Sequence, residues 1–600
     1  MRDKRNLLAG LVLCAGILLY PLLFPSSYLL GIGLSAGVMA ISTVGLVLLL
    51  GLAHQLAIGQ AAFSMVGGYA SALLCVRAGW DPFLALVAGA AVAMAAAWVI
   101  GAPILRLRGY VLAMATLALH LMLIVFALQV PFTGGPVGVA GVPRFAVLGV
   151  PLGSDLSLFY VAWGAAALAV WIGLNIDRSR IGRALRGIAA SETAAGSVGI
   201  DIARYKVQMF VVGAGMASVS GSLLVHYLRA IDPTVFSFNY SVNLITGTII
   251  GGLLSVWGGP VGAAVITGLR ELLRALSLPL WESVIMGALT VAVLITLPAG
   301  IAGLIGAGYR LLASRRTPTA VSLVPFAPDA LPRAEAPVAP GGVLLDVDGV
   351  RRAFGSLKAV HDVSFTARAG EITALIGPNG AGKTTLFNLI GGYQTLDGGA
   401  VRYAGRDIAA LSAREIAELG IARTFQNVQL FDNMTVLENV MCGAHRHARR
   451  GLLPIVAGLP SVRQEEAALR ADAEACLRFV GLQGVEGLRP GALSFGHQRL
   501  VEVARALALR PALLLMDEPA SGLNDAETEM LSELILHIAA LGVTVLLVEH
   551  DMRLVMGLAD HVVVMDHGEK MSEGPTEQVR RDPKVIAAYL GAEPEAAHAA

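Results

Sequence analysis

Lys383 stands where a glycine-rich loop meets a helix-forming run. The segment Gly377-Pro378-Asn379-Gly380-Ala381-Gly382-Lys383-Thr384-Thr385 follows the apolar stretch from Glu371 to Ile376 and precedes Leu386-Phe387-Asn388-Leu389-Ile390. Glycines let successive backbone N–H groups curl around a phosphate, and the helix start behind them adds favourable electrostatics. In that strand, loop and helix context Lys383 is expected to reach the β- and γ-phosphates of a nucleoside triphosphate, and Thr384 to ligate Mg2+. A second apolar run, Ala512 to Met516, ends in Asp517-Glu518. An acidic pair at a strand end is commonly a helix cap or surface turn. Behind a phosphate loop it reads instead as an Asp organising the Mg2+ shell and a Glu polarising the attacking water. Between the two motifs, Leu493-Ser494-Phe495-Gly496-His497-Gln498 opens another helix-forming run. A serine and a glycine there offer phosphate oxygens a hydroxyl and unobstructed backbone donors.

The elements that position these residues begin near Val343, where short β-rich runs alternate with helices and predict an α/β domain with a parallel sheet. The chain before it has a different solvent. With 56% hydrophobic and 14% charged residues and a mean hydropathy of +0.69, the sequence exceeds what a soluble domain shows, and the excess sits in the first 312 residues. A bilayer core about 30 Å thick needs roughly 20 apolar helical residues. Ten such spans are expected, near 7–24, 29–50, 57–76, 83–101, 110–130, 157–175, 205–227, 240–256, 258–276 and 283–305, the short ones being candidates for re-entrant segments. With the N-terminus inside, an even count gathers Arg106, Arg108, Arg178, Arg180, Arg183, Arg186, Arg204 and Lys206 in the cytoplasm, as the positive-inside rule requires. It also delivers the chain after residue 312 to that side.

The predicted organisation is therefore a polytopic all-α transmembrane domain over 1–312, a Pro/Ala-rich linker over 313–342, an ATPase domain over 343–592 and a tail over 593–600. The net charge of +1 gives no argument for a nucleic-acid partner. Cys14, Cys75, Cys442 and Cys476 form no CxxC pair and suggest neither a disulfide framework nor a metal site. His120 and His226 inside the spans, and Gln55 and Gln60 near a span's start, are candidates for a translocation path, since polarity is costly there, though each alone is more often a satisfied structural residue. Gly134-Gly135-Pro136 and the stretch from Gly251 to Pro260 read as tight packing or as breaks within the membrane. The loop from Arg178 to Asp201, with Arg183, Arg186 and Glu192 beside small residues, reads on composition equally as a solvated basic loop or as a short cytoplasmic helix that docks on an ATPase.

The Leu493 to Gln498 segment resembles the signature motif of ABC ATPases, usually written LSGGQ. That family's other motifs follow in order: Gln426 in Arg423-Thr424-Phe425-Gln426 matches the Q-loop, Ser521 to Asn524 the D-loop and His550 the switch histidine, while Phe354 resembles the aromatic residue that stacks on adenine. The resemblance implies ATP and Mg2+ as cofactors, ATP bound by Gly377 to Thr385 and Phe354, catalysis by Glu518, His550 and Gln426, and metal ligation by Thr384, Gln426 and Asp517. It also implies a head-to-tail ATPase pair in which Ser494, Phe495, Gly496, His497 and Gln498 cover the ATP of a partner. His497 departs from the usual Gly or Gln and is expected to be tolerated. The family's groove near the Q-loop receives a permease helix, which favours Arg183 to Gly199 as the coupling element. Over almost the whole length the chain is similar to branched-chain amino acid importers: its first half to LivM-type permeases, through HQLAIGQAAFSMVGGYASALL and GRALRGIAASETAAGSVGID, and its second to LivG-type ATPases, through GIARTFQNVQLFDNMTVLENV. That likeness implies a bacterial inner-membrane importer working with a LivH-type permease, a LivF-type ATPase and a periplasmic substrate-binding protein. Urea, amide and aromatic-acid importers look similar. An exporter or flippase, or a channel regulated by nucleotide, are the more distant alternatives.

Overall fold

The computed structural model describes residues 2–107, 109–313, 331 and 337–590. Most of the expected linker, and the tail over 593–600, lie outside the described residues. The chain divides into two compact units: Met1–Leu185 with Ala203–Thr317 and Gly451–Leu459, and Arg186–Ile202 with Pro318–Arg450 and Pro460–Ala600.

The first unit is helical. Its long apolar helices are α1 (Arg2–Leu23), α2 (Ser27–Leu46, continued by a π turn to Leu52), α3 (Gln60–Ala78), α4 (Pro82–Ile104), α5 (Gly109–Gln129), α6 (Asp155–Arg178) and α9 (Ile202–Leu228). Between α6 and α9 lie α7 (Arg180–Ala190) and α8 (Glu192–Ser197). Helix α2 is almost wholly enclosed, whereas α1 and α4 expose Leu11, Leu22, Trp98 and Val99, as helices facing hydrocarbon should. Lipid supplies no hydrophobic drive between helices, so close approach depends on small residues. Gly37 of α2 has the Trp163 indole of α6 against it, 3.0 Å from where a Cβ would sit, and Gly45 lies 3.2 Å on the same measure from the Gly213 carbonyl of α9.

Eight helical segments among the described residues, rather than ten, are long and apolar enough to span a bilayer. The two expected spans that fail are α10 (Phe238–Gly251) and α11 (Gly258–Ala275), of 14 and 18 residues, which form a hairpin broken between Gly252 and Trp257. At 1.5 Å per residue 14 residues cover about 21 Å, too little for the core. The hairpin is sewn together by backbone: a Cβ at Gly262 would strike the Gly247 carbonyl, and one at Gly251 the Gly258 carbonyl. The glycines thus serve close packing and flank a break. The tenth expected span is α12 (Glu282–Thr296) interrupted before α13 (Gly300–Ala313). Gly134-Gly135-Pro136 lies in the connection after α5, outside any span. His120 bonds the Phe236 carbonyl (2.8 Å) and Ser241 (3.2 Å), and His226 bonds Ser71 (2.9 Å) and the Pro143 carbonyl (2.8 Å), which makes both satisfied structural residues. Gln60 donates to the Gly213 carbonyl at 2.6 Å. Gln60 Oε1 and both polar atoms of the Gln55 amide, which is buried in the non-helical stretch after α2, have no hydrogen-bond partner among the described residues.

Among the described residues the second unit carries ten strands that form two sheets. These are β1 (Val343–Phe354), β2 (Leu357–Arg368), β3 (Ile372–Ile376), β4 (Gly398–Tyr403), β5 (Arg406–Asp407), β6 (Ile421–Arg423), β7 (Leu513–Asp517), β8 (Thr544–Val548), β9 (His561–Asp566) and β10 (Glu569–Pro575). The antiparallel sheet runs β2-β1-β4-β5, and the larger sheet β6-β7-β8-β3-β9-β10, parallel except at β10. Strands β3, β7 and β8 are buried along their whole length, the unbroken apolar pattern of parallel strands covered on both faces. Their carboxyl ends lie side by side, with Asp517 in register with Val548 and Val548 with Leu375, so the loops after them converge at one edge.

Candidate functional site

The loop after β3 is shaped by three glycines at positive φ, Gly377 (153°), Gly380 (84°) and Gly382 (94°). A side chain at Gly377 would strike the Met565 carbonyl and one at Gly382 the Ala359 carbonyl, so the loop needs both the conformation and the space that only glycine allows. Helix α14 (Lys383–Ile390) begins at the loop's end. The Lys383 ammonium folds back to donate to the carbonyls of Gly377 (2.7 Å) and Pro378 (2.9 Å). Its burial pushes its pKa below the ordinary lysine value, against the pull of Glu518 and Asp517. Asn379 and Thr384 are exposed, Pro378 and Thr385 partly so, and Ala381 is buried beneath the loop.

At the end of β7, Asp517 is 2% exposed. Its Oδ2 accepts from Arg423 at 3.0 Å, whereas Oδ1 has no hydrogen-bond partner among the described residues. Burial raises its pKa and Arg423 opposes the rise. Glu518 adopts φ = 44°, a conformation that non-glycine residues seldom take, and its N–H donates to Val548 of β8 at 2.9 Å. That turn swings its carboxylate toward Gln426, whose Nε2 donates to it at 2.7 Å, and toward His550, whose Nδ1 lies 4.0 Å away. The three residues expected to act together, Glu518, Gln426 and His550, are therefore gathered in one place. Phe354 ends β1 with its ring exposed and the Arg352 guanidinium 5.0 Å from its centre.

Ser494 caps α15 (Phe495–Ala508), accepting from the His497 N–H at 3.3 Å, while the His497 ring bonds back to the same hydroxyl at 3.0 Å. Gln498 donates to the Leu493 carbonyl at 3.0 Å. His497 is thus accommodated as part of the cap. A Cβ at Gly496 would meet the Glu527 carboxylate, which caps the start of α16 (Asp525–Ala540), so that this side chain would have to leave its cap. Phe495 is exposed and packs near Gly522.

Sequence reasoning missed the wiring beneath these motifs. Arg499, Glu502 and Arg505 of α15 are all buried and spaced i, i+3, i+6. Arg499 donates to the Phe425 and Gln426 carbonyls (2.5 and 2.7 Å) and to Glu502 (2.9 Å), and Arg505 donates to the Gln429 carbonyl (2.6 Å). Glu502 accepts from the N–H groups of Phe425 (3.4 Å) and Gln429 (3.2 Å). The signal was legible as charged residues repeating along the face of a helix that is otherwise apolar. Glu549 is a second buried carboxylate beside His550, held by the N–H groups of Ala520 and His550, and burial raises its pKa.

The segment expected to couple is two helices, α7 and α8, separated at Ser191, which caps α8 by accepting from the Ala194 N–H at 3.2 Å. Within the second unit Arg186 pairs with Glu438 (3.1 Å), Asn433 donates to the Arg186 carbonyl (3.0 Å) and Asp201 pairs with Arg414 (2.8 Å). Ala194 is enclosed with Phe431, Met434 and Cys442. Arg183 is buried and belongs to the first unit, and Glu192 is half-buried at the first turn of α8.

Comparison with known proteins agrees with these observations. Residues 28–294 match the family described as branched-chain amino acid transport system / permease component, residues 360–521 the ABC transporter family, and residues 569–595 the branched-chain amino acid ATP-binding cassette transporter family. The high-affinity branched-chain amino acid transport ATP-binding protein BraF of Pseudomonas aeruginosa is 42% identical over 249 residues, 41% of this chain and 98% of its own length. LivG of Escherichia coli, named likewise, is 41% identical over 249 residues, with the same two shares. The crystal structure of a nucleotide-free ATP-binding cassette from an ABC transporter is 34% identical and aligns with 42% of this chain and 99% of its own, at a TM-score of 0.37. A branched-chain permease segment followed on one polypeptide by an ATP-binding cassette of this likeness means that the chain belongs to the branched-chain amino acid family of ABC transporters, and that it couples ATP hydrolysis to transport.

Proposed function

We propose that this chain is half of an importer that uses ATP to bring branched-chain and other hydrophobic amino acids across the bacterial inner membrane, with the N-terminus and the ATPase on the cytoplasmic side. A LivH-type permease, a LivF-type ATPase and a periplasmic substrate-binding protein complete it. The observation that carries this reading is the loop from Gln426 to Asn439. At one end Gln426 holds Glu518, and at the other Asn433 and Glu438 hold Arg186 of the permease-derived segment. A shift of this loop changes both at once, which is what coupling hydrolysis to transport requires.

In this reading Lys383 and the loop N–H groups bind the triphosphate, and Phe354 meets the adenine. Glu518, turned outward by its backbone, accepts a proton from the attacking water, while Gln426 and His550 hold its carboxylate in position. Mg2+ fits the oxygen set offered by Thr384, Gln426 and Asp517, because Asp517 Oδ1 is buried without a partner. When bound, the metal would neutralise phosphate charge. Ser494, Phe495, Gly496, His497 and Gln498 cover the nucleotide of the second ATPase.

The test is Glu518→Gln in the full complex reconstituted in vesicles with its binding protein. ATP binding is expected to persist while hydrolysis and amino acid uptake stop; undiminished ATP-driven uptake would overturn the assignment. A binding screen of the associated binding protein against amino acids, urea, amides and aromatic acids decides the substrate.

A further inference from the structure

The first unit contains a cavity of about 400 Å³ lined by residues of α2, α9, α10 and α11 and by Val235. Small-molecule sites start at about 300 Å³. Its two walls differ in chemistry. Helix α11 turns Thr267, Arg270, Glu271 and Arg274 toward it, spaced i, i+3, i+4, i+7, which is a single helical face. Against them stand Ile32 and Met39 of α2 and Leu224 of α9. Three charged residues on one face of a membrane hairpin are costly, and such residues mark a ligand or a path more often than they serve packing. Arg270 donates through Nε to Glu282 at 2.8 Å, so its terminal amino groups are not used by that pair. Glu271 accepts from Tyr28 (2.6 Å) and Arg274 (2.8 Å), one donor on each oxygen, and each oxygen can accept another. Tyr240, in the same lining, sets its phenol beside the hydroxyls of Ser42, Ser64 and Ser220, and the hydroxyls of Tyr240, Ser42 and Ser64 have no hydrogen-bond partner among the described residues. A line of polar groups therefore continues inward from the cavity.

We propose that this cavity is a binding site for a zwitterionic aliphatic amino acid within the permease, with Arg270 taking the carboxylate, Glu271 the ammonium group and the Ile32, Met39 and Leu224 wall the side chain. This rests on the import reading above and adds to it a site in this chain. A planar guanidinium binds a carboxylate through two parallel hydrogen bonds, and adjacent opposite charges suit a zwitterion better than urea or an amide.

The experiment uses the complete transporter in proteoliposomes with its binding protein and measures ATP hydrolysis alongside uptake of leucine. Arg270→Gln is expected to lower the kcat/KM of uptake by about tenfold or more, the usual consequence of losing a charge-assisted hydrogen bond, with ATP hydrolysis retained. The double variant Arg270→Glu with Glu282→Arg keeps the ion pair but moves the cation, and is expected to stay impaired; recovery would show that Arg270 serves packing alone and overturn the site. A third variant works on folded protein whatever Arg270 does. With the exposed Cys14 changed to Ser, Ser35→Cys in the cavity lining should react more slowly with a small thiol reagent when leucine is added, but not when leucinamide is. Unchanged labelling, or unchanged uptake by Arg270→Gln, refutes the site. If the unaltered transporter takes up no aliphatic amino acid, the import reading itself fails.

Discussion

Replacing Glu502 by Gln should unfasten the signature helix from the Q-loop. The carboxylate is fully buried between Arg499 at 2.9 Å and Arg505 at 3.6 Å, and both guanidinium groups are themselves buried. Its Oε1 also accepts from the N–H groups of Phe425 and Gln429. An amide of the same shape keeps one acceptor, turns an NH2 group toward existing donors and leaves two desolvated cations without their counter-charge. Breaking a buried pair from one side costs about 3–5 kcal/mol. For a domain of this size the slope in urea is about 3 kcal/mol per M, so the unfolding midpoint should fall by about 1 M or more. The assay is urea unfolding of residues 337–590 expressed alone, since the BraF and LivG relatives match over nearly their whole length to this part of the chain. Glu474→Gln, from the exposed Arg470–Glu474 pair, serves as control and should change stability by under about 1 kcal/mol. A Glu502→Gln midpoint within about 0.3 M of the unaltered domain, corresponding to about 1 kcal/mol, would refute the reasoning that these charges act as one desolvated network.

Two further outcomes are expected. Gly496→Ala should fold yet lower ATP hydrolysis in the assembled transporter, because its Cβ would displace the Glu527 carboxylate from its cap on α16; hydrolysis at the unaltered rate would contradict that close approach. Arg186→Glu should reduce uptake more than ATP hydrolysis, and adding Glu438→Arg should restore much of the loss, since a partly buried pair at 3.1 Å is worth about 1–3 kcal/mol; a double variant no better than the single one counts against the pair as a coupling contact.

The candidate nucleotide-site residues were legible where the motif is contiguous in sequence: a glycine loop ahead of Lys383, an acidic pair ending an apolar strand. The helices were legible because the bilayer fixes their length; the break around Gly252 was one of two readings that its glycines allowed, and the one at Leu297 was not legible, since hydropathy registers composition and is blind to where backbone leaves a helix. For His120 and His226 the sequence allowed a path residue or a satisfied structural one, and their partners, carbonyls and hydroxyls far away in sequence, decide for the second. The same holds for Arg423 and for the Arg499–Glu502–Arg505 network. Each is defined by what it faces in three dimensions, and a single sequence gives no sign of which loop carbonyls a buried arginine will meet. The positive φ of Glu518 was equally invisible, although it decides where the carboxylate goes.

The α10–α11 hairpin has a consequence for how this protein is inserted during synthesis. A segment that enters and leaves from one face contributes no net crossing, and one that crosses twice contributes none either. Whether both arms of the hairpin cross the bilayer or neither does, α12 begins on the side where α9 ended. Orientation downstream is therefore preserved as long as the two arms of this glycine-bound pair cross together or not at all, which their tight backbone packing favours.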